Sequence, residues 1–191
     1  VRQTGTGPRF VEAVGATAVG GHAGPERGAG GGVDWLDGHE DEVWRLLLAV
    51  HADLLARLDD DLRRDHELNL ADYEVLVALS EADGALRMSE LAERVMLSPS
   101  GLTRRVDRLV TRGLVARRAC PSDGRGSLAA LTPVGRSALV RAAPTHVAGV
   151  RRYLLDPISP TSLGPLAAGL RQVRGALHPE PVRARQPRSA P

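Results

Sequence analysis

Between Ser89 and Gly113 the chain starts a helix, breaks it and starts another, with only Met96-Leu97-Ser98 between the two. Ser89 is placed to cap a two-turn helix whose Leu91, Ala92 and Val95 face inward. Ser98 then offers a side-chain oxygen to the free N–H groups of a new first turn, and Pro99 stands at the first helical position, where its missing N–H costs nothing. Leu102, Val106, Leu109 and Val110 fall on one stripe of the second helix, and Gly113 supplies its stop. Thr103, Arg104, Arg105 and Arg108 point away from that stripe. This is the sequence form of a helix-turn-helix, whose second helix is expected in the major groove of DNA. Leu114 to Ala119 and Ser127 to Leu131 then read as strands flanking the turn Pro121-Ser122-Asp123-Gly124-Arg125-Gly126, so a hairpin with an arginine between two glycines follows the reading helix as a wing.

The flanks supply further helices. Trp44, Leu47, Leu48, His51, Leu54, Leu55, Leu58 and Leu62 keep helical spacing with charges on the other face, which predicts a long amphipathic helix. Asn69 caps a shorter one through Tyr73, Leu76, Val77 and Leu79, ending near Gly84. Leu86 and Met88 sit around a short extended piece. Thr132-Pro133 opens a helix that Pro144 should bend. Ser159-Pro160 caps a last helix with Leu163, Leu166, Leu170, Val173 and Leu177 on one face; its Gly164, Pro165, Gly169 and Gly175 make it a poor helix without a partner surface. With five aromatics in 191 residues, the core must be Leu, Val and Ala, which suits packed helices. The fold class expected is mainly α with a small β-hairpin wing.

Residues 1–33 are Gly-rich without apolar periodicity and residues 178–191 form a basic, Pro-rich tail; both are expected to be disordered. The domain is expected over 34–177, with a DNA-binding part at about 69–132 and dimerisation helices at about 40–66 and 133–177. The formal charge of +2 conceals an asymmetry: Asp34 to Arg94 carries 17 acidic residues against 6 arginines, whereas Ser100 to Ser127 carries 7 arginines against Asp107 and Asp123. A cationic segment of that kind points to nucleic acid. No apolar run approaches the roughly 18 residues of a membrane span, there is no charged leader with a cleavage site, and a single Cys120 fits a reducing compartment, so a cytoplasmic protein is expected.

Met88-Ser89-Glu90-Leu91-Ala92, Leu97-Ser98-Pro99-Ser100-Gly101-Leu102-Thr103-Arg104, Asp107-Arg108-Leu109, Gly113-Leu114-Val115, Asp123-Gly124-Arg125 and Leu131-Thr132-Pro133-Val134-Gly135 together resemble the multiple antibiotic resistance regulator (MarR) family, across roughly residues 40–177. The resemblance implies a homodimeric winged helix-turn-helix repressor with interlocking first and last helices, released from a palindromic operator by a small anionic or phenolic ligand. It implies that Ser100, Thr103, Arg104, Arg105 and Arg108 face the major groove, that Ser98 and the helix N-terminus hold a phosphate, and that Arg125 enters the minor groove from a wing shaped by Asp123. It also implies an effector pocket near Trp44, Leu47, His51, Tyr73 and Val77.

Plainer readings stand beside these. The arginines of the second helix can be a solvated face, and Trp44 and Tyr73 can be dimer-interface packing. Cys120 lies among Arg117, Arg118 and Arg125, a setting that lowers a thiol pKa and would suit a redox sensor, yet it is also simply a small residue at the start of the wing. The six histidines do not fall at metal-ligand spacing, no cofactor is implied, and no nucleophile-base-acid set or phosphate loop can be assembled, so no enzyme is expected. The alternative function is a DNA-binding activator or architectural protein, either sensing nothing or sensing oxidants through Cys120.

Overall fold

The computed structural model describes residues 34–120 and 123–178, the side chains of 120 and 123–126 apart. The expectations for 1–33 and 179–191 lie outside the described residues. Ten elements follow in order: α1 (Gly38–His66), α2 (Leu70–Glu81), β1 (Ala85–Arg87), α3 (Met88–Arg94), α4 (Pro99–Thr111), β2 (Val115–Cys120), β3 (Asp123–Leu131), α5 (Pro133–Val150), a π-helical turn (Arg151–Leu155) and α6 (Pro160–Leu177). Two compact units divide inside α1, at Asp41 and Glu42. In the first, Asp37 caps the helix: its carboxylate accepts from the His39 and Glu40 N–H groups at 2.8 and 2.9 Å, and the Glu40 carboxylate accepts from the Asp37 N–H at 2.9 Å.

The second unit is built on helices held by local caps. Asn69 Oδ1 accepts from the Asp72 N–H at 2.7 Å and starts α2. Ser98 Oγ accepts from the Gly101 N–H at 3.2 Å and starts α4, with Pro99 at its first position. Thr132 Oγ1 accepts from the Gly135 N–H at 2.9 Å and starts α5. Ser89 is not a cap, contrary to the expectation: β1 pairs up to Arg87, so strand gives way to helix there, and the Glu90 carboxylate accepts from the Arg87 N–H at 3.2 Å. Nor does Ser159 cap α6 through its side chain, because its hydroxyl lies against the Ser162 and Thr161 hydroxyls at 2.8 and 3.0 Å.

The sheet is antiparallel with strand order β1-β3-β2. The expected hairpin is present, but β3 starts at Asp123 and not at Ser127, because pairing with β2 extends to Cys120 opposite Asp123; the short extended piece before α3 joins it as a third strand, with Leu86 opposite Ala129. Leu62, Leu76, Leu79, Leu91, Leu102, Val106 and Leu109 are fully buried and weld α1, α2, α3 and α4 into one core, which Ala129 closes from the sheet. Val110 was expected on this stripe and is exposed instead, since the stripe ends at Leu109. α5 packs on α2 and on the second half of α1, where a Cβ on Gly149 would lie 2.7 Å from Leu58 Cδ2. The α5 helix runs unbroken through the exposed Pro144 and widens only after Val150, into the π-helical turn. Tyr153 on that turn donates to the buried Asp61 at 2.8 Å, and this bond is the main cause holding the Asp61 carboxyl below its ordinary range.

The first half of α1 and all of α6 lie largely outside this core. Trp44, Leu47 and Leu48 on α1 and Leu166, Leu170, Val173 and Leu177 on α6 are exposed. No described helix is long and apolar enough to cross a membrane.

Candidate nucleic-acid interface and effector cavity

α4 turns its buried face to α2 and α3 and leaves Ser100, Thr103, Arg104, Asp107 and Arg108 exposed. At its first turn Pro99, Ser100 and the Ser98 cap lie open to solvent, although the Ser98 hydroxyl is engaged with the Gly101 N–H. Thr103 Oγ1 donates back to the Pro99 carbonyl at 2.9 Å, which fixes its rotamer. Arg104 and the mostly exposed Arg108 stand about one turn apart on the outer face.

Arg105 departs from the expectation that it faces the groove. Its guanidinium turns inward, donating from Nη1 to Asp72 Oδ1 at 2.8 Å and to Asn69 Oδ1 at 3.0 Å. The Arg105 side chain is 19% exposed and that of Asp72 only 4%. Asn69 Nδ2 also donates to Asp72 Oδ2 at 3.0 Å, while Arg108 and Arg112 extend guanidinium groups to 3.8 and 3.9 Å from the same carboxylate. One acid at the first turn of α2 therefore collects three arginines of α4 and its cap. The physical reason is position: Arg105 sits one residue before Val106 at the edge of the buried stripe, and a buried carboxylate in reach demands a partner. Local patterning showed Asp72 only as a neighbour of the Asn69 cap; its partner lies 33 residues on.

A second anchor joins α4 to the β2–β3 hairpin. Asp107 accepts from Arg117 Nη2 and Nε on β2 at 2.8 and 3.1 Å. Backbone pairing of β2 with β3 carries the wing outward, with a register shift between Ala119 and Cys120. Asp123 and Arg125 lie on β3 and Cys120 ends β2, but their side chains lie outside the described residues.

The effector residues divide. Tyr73 and Val77 line a cavity between α2, α5 and the turn after α3, bounded also by Glu74, Glu81, Arg94, Met96 and His146. Trp44, Leu47 and His51 do not line it; they are exposed on the first half of α1. Their spacing as an apolar stripe was legible, but which surface the stripe meets depends on tertiary contacts. His146 was missed: it lies on α5 and stacks on Tyr73, with ring centroids 4.7 Å apart and planes at 26°. Burial pushes the His146 pKa down and the Tyr73 pKa up. No group of three potential metal ligands occurs among the described residues.

A family model for the MarR family matches residues 66–126. Among solved structures, AbsC of Streptomyces coelicolor, a MarR family transcriptional regulator, is 38% identical with a TM-score of 0.72; the alignment takes in 78% of this chain and all of that one. Sco3205 of the same organism, a MarR family regulator solved in complex with DNA, is 38% identical with a TM-score of 0.71, over 76% of this chain and 96% of its own. The HTH-type transcriptional regulator YxaD of Bacillus subtilis (strain 168) is 38% identical over 82 residues, which is 43% of this chain and 57% of that protein.

Proposed function

The chain belongs to the MarR family of DNA-binding transcriptional regulators, and we propose that it acts as a homodimeric repressor, cytoplasmic and without catalytic activity, that leaves a palindromic operator when a small molecule enters the cavity between α2 and α5. The observation that carries this reading is the outer face of α4. A helix capped by Ser98 presents Ser100, Thr103, Arg104 and Arg108 to solvent while Arg105 and Asp107 anchor it to α2 and β2. Arg104 and Arg108 then read bases or phosphate, Ser98 and Ser100 hold phosphate at the helix N-terminus, and Arg125 takes the minor groove from a wing that Asp123 shapes. Sco3205 was solved in complex with DNA, and its fold and 38% identity support DNA binding by this chain. Arg105 is placed as a positioning residue in this scheme rather than a reading one.

A second copy is supported by the exposed apolar faces of α1 and α6, where Trp44 is 50% and Leu170 52% exposed. Large unpartnered apolar surface of this kind marks an interaction site. The cavity touches both the turn before α4, through Met96, and α5, through His146, so an occupant can bias the reading helix against the flanking helices.

The test is fluorescence anisotropy of the protein with the intergenic DNA beside its own gene and with a scrambled duplex, across a salt series. A preference of about a thousandfold for the native duplex, at one dimer per site, is expected. Equal binding to both would point to an architectural protein, and no binding to either would remove the reading-helix assignment.

A further inference from the structure

We infer that the cavity between α2 and α5 takes an aromatic cation, not the anionic or phenolic ligand that the resemblance implies. The inference rests on the reading of this cavity as the effector site and concerns the charge of its occupant. The space is about 600 Å³, the size of a site for a small drug-like molecule. The stacked Tyr73 and His146 rings give it an aromatic wall, and Val77, Val95 and Met96 give it apolar ones.

Its charges are unbalanced. Glu74 and Glu81 stand seven residues apart on α2, two turns along one face, and both line the cavity. Arg94, exposed at the end of α3, is one guanidinium against these two carboxylates. Among the described residues neither glutamate has an ion-pair or hydrogen-bond partner. Burial raises the Glu74 pKa, and the charge of Arg105 offsets this only in part. Burial also keeps His146 on the neutral side, so the ring stack adds no positive charge.

Helix electrostatics point the same way. Glu81 is the last residue of α2, and that last turn carries no basic residue. The C-terminal carbonyls of a helix favour a cation, so an acid there is doubly in need of one. A ligand with an ammonium group between Glu74 and Glu81, which rise about 10.5 Å apart along α2, and a ring against Tyr73 and His146 offsets the excess negative charge of this wall and stacks on its aromatic side. A carboxylate ligand would add a third negative charge to the same wall.

The test uses three probes on one ring system: 2-naphthylmethylammonium, 2-naphthol and 2-naphthoate, titrated calorimetrically into the full chain without DNA. The ammonium is expected to bind about tenfold tighter than the carboxylate. Glu74→Gln and Glu81→Gln are each expected to weaken the ammonium about fivefold while leaving naphthoate unchanged or improved. Neither glutamate belongs to the buried core, and circular dichroism checks that the variants stay folded. Naphthoate or naphthol binding as tightly as the ammonium overturns the charge assignment and leaves the effector cavity standing. Ammonium binding that neither variant weakens places the cation elsewhere and also overturns it. No binding of any probe below about 1 mM removes the cavity as an effector site together with the inference. DNA binding is measured separately, so its failure is distinguishable from each of these.

Discussion

Asp72, with a side chain 4% exposed, accepts from Arg105 and Asn69 at once, and this cluster joins the first turn of α2 to the middle of α4. Removing one member of such a buried pair leaves the other uncompensated, so Asp72→Asn should cost about 3 kcal/mol in urea unfolding. Replacing both, Asp72→Asn with Arg105→Gln, leaves no buried charge and should return most of that loss. The pair also separates positioning from reading. Arg104→Ala and Arg108→Ala should each lower the slope of log affinity against log salt by about one. The paired replacement should leave that slope at its parent value if the Arg105 guanidinium stays committed to Asp72 and Asn69 on DNA; a slope lowered by one would return Arg105 to the reading face. His146 gives a pH dependence of determined sign. Its folded pKa is depressed below the ordinary 6.5, so its unfolded form takes up a proton first as pH falls. Stability is then full above 6.5 and declines as pH drops through the folded value. The urea midpoint should fall between about pH 7.5 and about pH 5.5, and His146→Gln should flatten that fall. Asp61, also depressed, acts only further into the acid range.

Element boundaries here are decided by a few short-range contacts, and the tightest is at the start of α5. Thr132 Oγ1 accepts from the Gly135 N–H and donates to the Gly113 carbonyl at 2.7 Å, which ties α5 to the end of α4. Gly135 then passes so close to β2 that a Cβ would lie 2.0 Å from the Leu114 carbonyl oxygen. That neighbour is backbone and cannot swing away, so Gly135→Ala should cost about 3 kcal/mol in urea unfolding. An exposed control such as Gly164→Ala, with nothing within 4 Å, should stabilise α6 or leave it unchanged. This local logic is why so much of the molecule was legible in its sequence. Asn69, Ser98 and Thr132 are caps that act within three residues, and Leu102, Val106 and Leu109 repeat at the helical period. What stayed hidden depends on distant partners. Ala85-Leu86-Arg87 is too short to announce a strand, and it becomes one only because β3 offers Leu128 to Ala130 as its edge. Ser89 has the chemistry of a cap, but that strand ends one step earlier and moves the helix start to Met88. Arg105 sits at the edge of the apolar stripe, where its direction is chosen by Asp72. Within the site, Tyr73 and Val77 were put near a pocket by the family resemblance and not by any local pattern, and they line the cavity where α2 meets α5, whereas His146 could be found only once that packing was known.

At the scale of the whole molecule, the apolar faces of α1 and α6 are what a single chain cannot use. Leu166, Leu170, Val173 and Leu177 follow one stripe of α6 and are 41–71% exposed. A helix with Gly164, Pro165, Gly169 and Gly175 has little intrinsic stability, so an isolated α6 has neither propensity nor packing to hold it. In the proposed homodimer a second copy would supply the missing surface, with a consequence for DNA. Two-fold symmetry in that proposed dimer would double the exposed arginines of α4 and set two copies of α4 against two half-sites, the geometric counterpart of a palindromic operator. Binding should then be steeply salt-dependent, since each phosphate contact contributes about 0.9 to the slope. Leu166→Glu with Leu170→Glu places two charges on that stripe without touching α4, the sheet or the Asp72 cluster. Light scattering at about 10 μM should find the parent at twice the chain mass and the variant at the chain mass, with specific DNA affinity lost in parallel. The variant should keep the far-ultraviolet signal of the α2–α5 core and lose only what α6 contributes. A variant that remains dimeric would place the interface elsewhere, on the face of α1 that carries Trp44 and Leu47. A monomeric variant with undiminished specific binding would separate DNA reading from dimerisation and reduce the operator to a single half-site.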